Sequence, residues 1–194
     1  MRIPHILIYP FTHIQDEGGY MKKKGIIVVF TGNGKGKTSA ALGIALRASG
    51  HGMKTLMIQF IKEKGKSGEQ EVCPALIKNI EIHPFGMGFV FRGDDPRPHI
   101  AMAEEAWFFL EESMQEKKFD IVILDELSVV MNLGLLTMER VTTFLARIVD
   151  GLHVIITGRD APEEIIKFAD VVTEMREVKH VYQQGVTAIK GIDY

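Results

Sequence analysis

Residues 26–39 read IIVVFTGNGKGKTS, and the rest of the chain is organised around this stretch. An apolar run leads into a loop that has a glycine at every second position and ends in Gly36, Lys37 and Thr38. The order of strand, glycine loop and helix is that of a phosphate-binding P-loop. Glycines let successive main-chain N–H groups converge on one anion, and the N-terminus of the following helix adds partial positive charge. The sequence therefore predicts a site for a nucleoside triphosphate.

Two residues at the end of this loop carry the predicted chemistry. The Lys37 ammonium group would reach phosphate oxygens, and the Thr38 hydroxyl would ligate Mg²⁺. The usual motif has a further glycine five residues before Gly36, where this chain has Thr31, and glycine comes one position later at Gly32. A glycine-rich turn without a ligand is the alternative, but such a turn has no use for lysine and threonine where a helix begins.

Composition limits the classes of protein to which the chain can belong. Its 194 residues fit one domain, with 46% hydrophobic and 25% charged residues as in an ordinary globular protein. The formal net charge of −2 offers no general attraction to nucleic acid or to an anionic membrane. Cys73 is the only cysteine, which excludes an internal disulfide and fits a reducing compartment. No apolar run has the length of a transmembrane helix, so we expect a cytoplasmic protein without membrane partners.

Apolar segments that read as strands alternate with amphipathic segments that read as helices. This alternation predicts an α/β fold, namely an open, mainly parallel sheet with helices on both faces. We expect strands near residues 26–30, 55–58, 80–82, 121–124, 154–156 and 171–172, and helices near 38–49, 100–114, 137–149 and 162–168. Trp107 belongs to the apolar stripe of the second helix, which favours packing over ligand binding. Residues 1–24 differ from the rest and are expected to form a separate N-terminal extension, mobile or without a role.

Asp125 and Glu126 directly follow the apolar strand at 121–124. Ligands of parallel sheets bind beyond the carboxyl ends of the strands, so these carboxylates would meet the P-loop there. In that position they could hold Mg²⁺ directly or through water. The alternative is a pair of carboxylates that only caps the strand end. Arg159, at the end of a later strand, could touch a triphosphate or form a surface salt bridge.

Residues 85–91 form a loop of glycines and aromatic residues. Phe85, Phe89 and Phe91 suggest a face for a large flat or apolar ligand, or a loop tucked into the core. Base stacking would also suit the rings, but no basic stripe accompanies them. Near the C-terminus, Lys179 and His180 could bind phosphate or form a solvated charge cluster.

Taken together, several motifs resemble the P-loop family of ATP:corrinoid adenosyltransferases, over residues 25–194. The segments that carry the resemblance are TGNGKGKT (31–38), QFIK (59–62) with Gly68 and Glu69, LDEL (124–127), ITGR (156–159), VKH (178–180) and GIDY (191–194). Threonine in place of the first glycine is itself a trait of this family. The match departs at Phe91, where relatives tend to have tryptophan.

The resemblance implies a RecA-like fold, a homodimer, and transfer of the 5′-deoxyadenosyl group of ATP to the cobalt(I) of a corrinoid, with tripolyphosphate released. It places ATP in the reverse of the usual P-loop orientation, so the loop would grip the far end of the triphosphate. A flavin-dependent reductant would supply electrons to cobalt. Because cobalt(I) is a strong nucleophile, no side chain need act as acid or base, and Lys37 and Glu126 would position the reactants. The implied ATP-binding residues are Gly32, Asn33, Gly34, Lys35, Gly36, Lys37, Thr38, Ser39 and Arg159, those for Mg²⁺ are Thr38, Glu126 and Asp125, and those for the corrinoid are Phe85, Phe89 and Phe91.

A different class of function is a RecA-like ATPase that couples hydrolysis to movement or to nucleic-acid binding, with Glu126 activating water. The mild acidity, the lack of a basic stripe and the small size argue against it. A sensor that binds ATP without chemistry is a third hypothesis.

Overall fold

The computed structural model describes residues 25–90, 93–116, 119–148 and 151–194. Within these ranges six parallel strands form one sheet in the order β3-β2-β4-β5-β1-β6. The strands are β1 (Ile27–Thr31), β2 (Thr55–Gln59), β3 (Ile80–Pro84), β4 (Ile121–Asp125), β5 (His153–Thr157) and β6 (Val171–Glu174). The predicted α/β open parallel sheet is confirmed, and the order places β5 between the P-loop strand β1 and the carboxylate strand β4.

The helices cover both faces of this sheet. They are α1 (Lys37–Ser49), α2 (Gly68–Leu76), α3 (Pro96–Glu116), α4 (Leu127–Asn132), α5 (Met138–Ala146) and α6 (Glu163–Phe168), with a 3₁₀ helix at Val181–Gln184. Side chains alternate along each strand, so that Val122 and Leu124 of β4 pack towards α3–α6 while Ile121 and Ile123 pack towards α1 and α2. β2 and β4 are buried along their whole length, as expected of parallel strands covered on both faces.

The expected helices and strands are present, and two helices were not predicted. α2 begins at Gly68, in a stretch where the sequence predicted neither a helix nor a strand, and it contains Pro74. α4 has only six residues, too few to show a periodic pattern. Trp107 is fully buried, and its ring lies 6.4 Å from that of Phe60 and 5.5 Å from that of Phe144, centroid to centroid. Packing is thus the role of Trp107.

No helix of the described ranges combines the length and the apolarity needed to cross a membrane. The predicted extension at residues 1–24 lies outside the described residues, as does Phe91 of the aromatic loop.

Candidate active site

Three strand ends place the predicted nucleotide-binding residues along one edge of the sheet. The P-loop follows β1, Asp125 and Glu126 end and follow β4, and Arg159 lies two residues beyond β5. Since the three strands are neighbours and all parallel, their carboxyl ends meet. This edge is where an open parallel sheet binds its ligands.

Thr31 ends β1, and the glycines that follow it take conformations that a side chain would strain. Gly32 has a φ of 91° and Gly36, which caps α1, a φ of 110°. Gly34 donates its N–H to the Met175 carbonyl at 2.6 Å, and a Cβ at Gly34 would come within 2.6 Å of that same oxygen. The loop glycines therefore also make room for the chain that leaves β6, a constraint that a phosphate motif does not reveal.

Lys37 is the first residue of α1 and is 7% exposed. Its Nζ donates to the carbonyl oxygens of Gly32 at 2.7 Å and of Gly34 at 2.9 Å, so the ammonium group lies across the loop. Burial lowers the pKa of Lys37 below its ordinary value, and Arg159 adds to this, while Glu126 and Asp125 oppose it. A buried ammonium group held in the loop by two carbonyls is placed to meet a polyanion.

Asp125 is fully buried and is the centre of a hydrogen-bond network. The hydroxyls of Thr38 and Thr157 both donate to its Oδ1, at 2.7 and 2.8 Å. The Gln59 side-chain amide donates to its Oδ2 at 3.4 Å. Asp125 thus ties the start of α1 to the ends of β2, β4 and β5, and a buried network of this kind holds its members in one geometry.

Glu126 has a left-handed backbone with a φ of 61°, which is strained for a residue other than glycine. Its N–H donates to the Thr157 hydroxyl oxygen at 2.9 Å, and its carbonyl accepts from α4. Burial and then the Asp125 charge raise the pKa of Glu126, while Lys37, Lys62 and Arg159 lower it. Three cations therefore surround a carboxylate that the fold forces into a strained position.

The remaining predicted ATP ligands lie at the surface of the same edge. Asn33, Lys35, Ser39 and Arg159 are exposed. Lys35 forms an ion pair with Asp193, and that contact lowers the pKa of the Asp193 carboxyl. The C-terminal motif at 191–194 is thereby brought against the P-loop. His180, in contrast, caps the 3₁₀ helix, where its Nδ1 accepts from the Tyr182 N–H at 3.2 Å.

The two described phenylalanines of the aromatic loop differ in burial. Phe85 is half-buried, packs against the core, and has its ring 5.4 Å from that of Phe109. Phe89 is 80% exposed. The loop is held against the end of β2 by N–H donation from Phe85 to the Gln59 carbonyl, and a Cβ at Gly86 would collide with the Ile61 backbone.

Sequence reasoning gave no role to four side chains that the structure brings to this site. They are Gln59, Lys62, Glu69 and Thr157, which contact Asp125 or one another. The first three belong to the QFIK and Gly-Glu motifs, which were the available signal. The contacts of Gln59 and Lys62 with Asp125 depend on the pairing of β2 with β4, which the sequence does not specify.

Comparison with known proteins gives a consistent picture. A sequence model of the family described as ATP:corrinoid adenosyltransferase BtuR/CobO/CobP matches residues 23–194. A corrinoid adenosyltransferase of Escherichia coli K12 is 39% identical over 172 residues, covering 89% of this chain and 87% of that protein. A corrinoid adenosyltransferase of Pseudomonas aeruginosa is 37% identical over 172 residues (89% and 85%), and corrinoid adenosyltransferase CobA of Salmonella typhimurium is 38% identical over 173 residues (89% and 87%).

Proposed function

The chain belongs to the ATP:corrinoid adenosyltransferase family and transfers the adenosyl group of ATP to a corrinoid, and we propose how its residues do so. Residues 25–194 are the catalytic domain. The P-loop and the start of α1 bind the far end of the triphosphate and leave the 5′-carbon open to the corrinoid. One observation carries this assignment: buried Lys37 lies across the loop within 2.9 Å of two loop carbonyls, so its charge is in place before any ligand arrives.

Oxygen donors at the site suit Mg²⁺. Within the described ranges, no cluster of three or more His, Cys, Asp or Glu side chains could hold a metal on its own. Mg²⁺ prefers one or two carboxylates together with water and substrate phosphates. Thr38, Asp125 and Glu126 offer a hydroxyl and two carboxylates at the P-loop, and the Thr38 hydroxyl lies 2.7 Å from Asp125. We assign these three residues to Mg²⁺, which would neutralise phosphate charge when bound.

No protein side chain acts as acid, base or nucleophile in the proposed mechanism. The cobalt(I) lone pair of the corrinoid attacks the 5′-carbon of ATP, and the bond from that carbon to the α-phosphate oxygen breaks. Cobalt is formally oxidised by two electrons, and the electron pair of the broken bond leaves with tripolyphosphate. The protein's tasks are to hold the triphosphate, to align the 5′-carbon and to exclude water. Lys37 and Glu126 serve the first two tasks.

The aromatic loop is our candidate for the corrinoid side of the site. Phe89 offers an exposed ring, and Phe85 packs beneath the loop against Phe109, so the two would bind and support the corrinoid, respectively. We assign Phe91 to the corrinoid as well, on the basis of the sequence alone. Contiguous exposed apolar surface often marks a site where a ligand or partner binds.

We further propose a cytoplasmic homodimer that receives electrons for cobalt from a flavin-dependent reductant. Among the described strands β6 is the last of the sheet, and all four of its residues are exposed, as are Val178, Tyr182 and Ile192 beyond it. An exposed apolar edge of this kind suits burial against a second copy. The lack of an internal disulfide suits a reducing compartment.

One assay tests the proposed function. ATP is mixed with a chemically reduced corrinoid under anaerobic conditions, and the products are separated by chromatography. We expect an adenosylated corrinoid together with intact tripolyphosphate. Phosphate release that does not depend on corrinoid would instead indicate an ATPase, and ATP binding without any product would indicate a sensor.

A further inference from the structure

The segment that follows β2 stands out in the sequence, yet the proposed function gives it no role. Its polar members are Gln59, the last residue of β2, and Lys62, three residues later. Glu69 and Gln70, in the first turn of α2, face them. These four side chains, which we term the β2 cluster, lie beside Asp125 on the side away from the P-loop.

Lys62 connects the β2 cluster to the carboxylates of the site. Its Nζ donates to Glu69 Oε1 at 2.5 Å and lies 3.9 Å from Asp125 Oδ2. The Lys62 side chain is 27% exposed, whereas Asp125 is fully buried. Lys62 is therefore a cation held at the site by two carboxylates and still accessible to a ligand.

Hydrogen bonds around the buried Gln59 side chain fix the position of Lys62. The Gln59 Nε2 donates to Glu69 Oε1 at 3.1 Å, and Gln59 Oε1 accepts from Gln70 Nε2 at 2.8 Å. Gln59 is fully buried, so both ends of its amide are satisfied inside the cluster. Glu69, the partner of Lys62, is thus held by a group that cannot move without losing its own hydrogen bonds.

The two oxygens of Asp125 contact two different parts of the site. Oδ1 accepts from Thr38, which follows Lys37 at the start of α1, while Oδ2 accepts from Gln59 and lies 3.9 Å from Lys62 Nζ. Asp125 therefore links the start of α1, where Lys37 lies, to Lys62. A triphosphate whose far end is held by the P-loop and Lys37 would extend along Asp125 and Glu126 towards Lys62.

We propose that Lys62 is a second triphosphate-binding cation, placed where the bond between the 5′-carbon and oxygen breaks. This inference rests on the proposed function, because it needs the P-loop to hold the far end of the triphosphate. When that bond breaks, its electron pair stays on the α-phosphate oxygen, which gains a negative charge, and no proton moves. The Lys62 ammonium group stabilises that charge, and Glu69 and Gln59 are positioning residues that keep it there.

Three variants test this role. Lys62→Met removes the charge and keeps the length of the side chain, and Lys62→Arg keeps the charge. Lys66→Met is the matched control, because Lys66 is an exposed lysine of the same connection between β2 and α2. The measurements are calorimetric binding of tripolyphosphate and of ATP in the presence of Mg²⁺, and anaerobic turnover with reduced corrinoid. Circular dichroism melts check that every variant is folded.

We expect Lys62→Met to lower kcat roughly 100-fold. It should weaken tripolyphosphate binding about tenfold more than ATP binding, because the leaving oxygen carries its extra charge only after the bond has broken. Lys62→Arg should restore binding to within about threefold of the wild type, because the guanidinium group keeps the charge. Lys66→Met should match the wild type in all three measurements.

Other results would overturn the inference. One such result is that Lys62→Met matches Lys66→Met, and another is that it weakens ATP and tripolyphosphate binding equally. In either case Lys62 does not meet the leaving oxygen. A Glu69→Gln variant that loses kcat with a lowered Tm, and that weakens tripolyphosphate and ATP binding equally, would show that the cluster only supports the fold. Wild-type protein that binds no tripolyphosphate would contradict the proposed function as well. If the single variant Lys37→Ala loses turnover while the single variant Lys62→Met keeps the wild-type rate, only this inference is contradicted.

Discussion

The P-loop side and the aromatic side of the site are built in opposite ways. On the P-loop side, Lys37 and Asp125 are buried, and hydrogen bonds between 2.7 and 2.9 Å join them to the loop carbonyls and to two threonines. On the aromatic side, Phe89 is 80% exposed, and the described part of the loop is tied to the core through Phe85, Val90 and backbone hydrogen bonds. The polar half is preorganised before a ligand arrives, and the apolar half leaves a ring uncovered.

The proposed assignment of one substrate to each side would account for this contrast. A triphosphate needs several donors and cations at fixed positions, and a buried network supplies them without a reorganisation cost during the reaction. A large flat ligand gains its binding energy from apolar area, which needs a surface more than exact distances. We therefore expect substitutions on the polar side to act mainly on turnover, and those on the apolar side mainly on corrinoid affinity.

The substitution Lys37→Ala should break the polar half and give the largest effect. It removes the cation that lies across the loop, so we expect turnover to fall by about 10²- to 10³-fold, together with a loss of tripolyphosphate binding. Anaerobic turnover and calorimetry measure both. Lys54→Ala is the matched control, since Lys54 precedes β2 at the opposite edge of the sheet and is exposed. Turnover of Lys37→Ala at the wild-type rate would refute the phosphate role of this lysine.

The polar half was predictable from the sequence because its parts are local. The P-loop motif lies within eight consecutive residues, and Asp125 and Glu126 come directly at the end of an apolar strand. The contacts that join these parts were not predictable, since Gln59 meets Asp125 only because β2 pairs with β4. Likewise, the approach of Met175 and Asp193 to the loop depends on the path of the chain after β6.

The apolar half was predictable only as a composition. Phe85 and Phe89 look equivalent in the sequence, and the two glycines between them, Gly86 and Gly88, allow the loop many paths. The structure distinguishes them, because Phe85 lies against Phe109 and Phe89 does not share that burial. Side-chain direction in a loop is set by tertiary contacts, which a local pattern does not contain.

Two substitutions in this loop, Phe89→Ala and Phe85→Ala, should have different effects, both of intermediate size. Phe89→Ala should raise the KM for corrinoid about tenfold and leave the KM for ATP and the Tm unchanged, because the ring is exposed in the free protein. Phe85→Ala should instead cost about 2 kcal/mol of stability through lost packing. Steady-state kinetics and thermal melts separate the two. Phe108→Ala, which removes another exposed phenylalanine, serves as the control. A change confined to ATP affinity in Phe89→Ala would remove this loop from the corrinoid side.

The smallest expected effect concerns the energetic cost of ionising the Glu126 carboxyl on the P-loop side of the site. Burial and the Asp125 charge raise the pKa of Glu126, so its ionised form destabilises the ligand-free fold. The contribution of such a group to stability is fully present below the ordinary glutamic acid pKa and is lost as the pH rises through the raised value. Glu126→Gln keeps the neutral shape at every pH. Its Tm should therefore match that of the wild type near pH 4 and exceed it by a few degrees near pH 8.

Thermal melts from pH 4 to pH 8 without ligand measure this difference, with Glu105→Gln as the control because Glu105 is an exposed carboxylate of α3. Glu126→Gln should also lose most of the stabilisation that ATP with Mg²⁺ gives the wild type. In the wild type the Glu126 carboxylate would bind Mg²⁺, and the variant lacks that carboxylate. The prediction is contradicted if Glu126→Gln is less stable than the wild type at pH 8, or if the Tm difference does not change with pH. In either case ionised Glu126 does not destabilise the ligand-free protein. If Glu126→Gln is more stable than the wild type without ligand but is stabilised less by ATP with Mg²⁺, then Glu126 lowers the stability of the free protein and contributes to ligand binding.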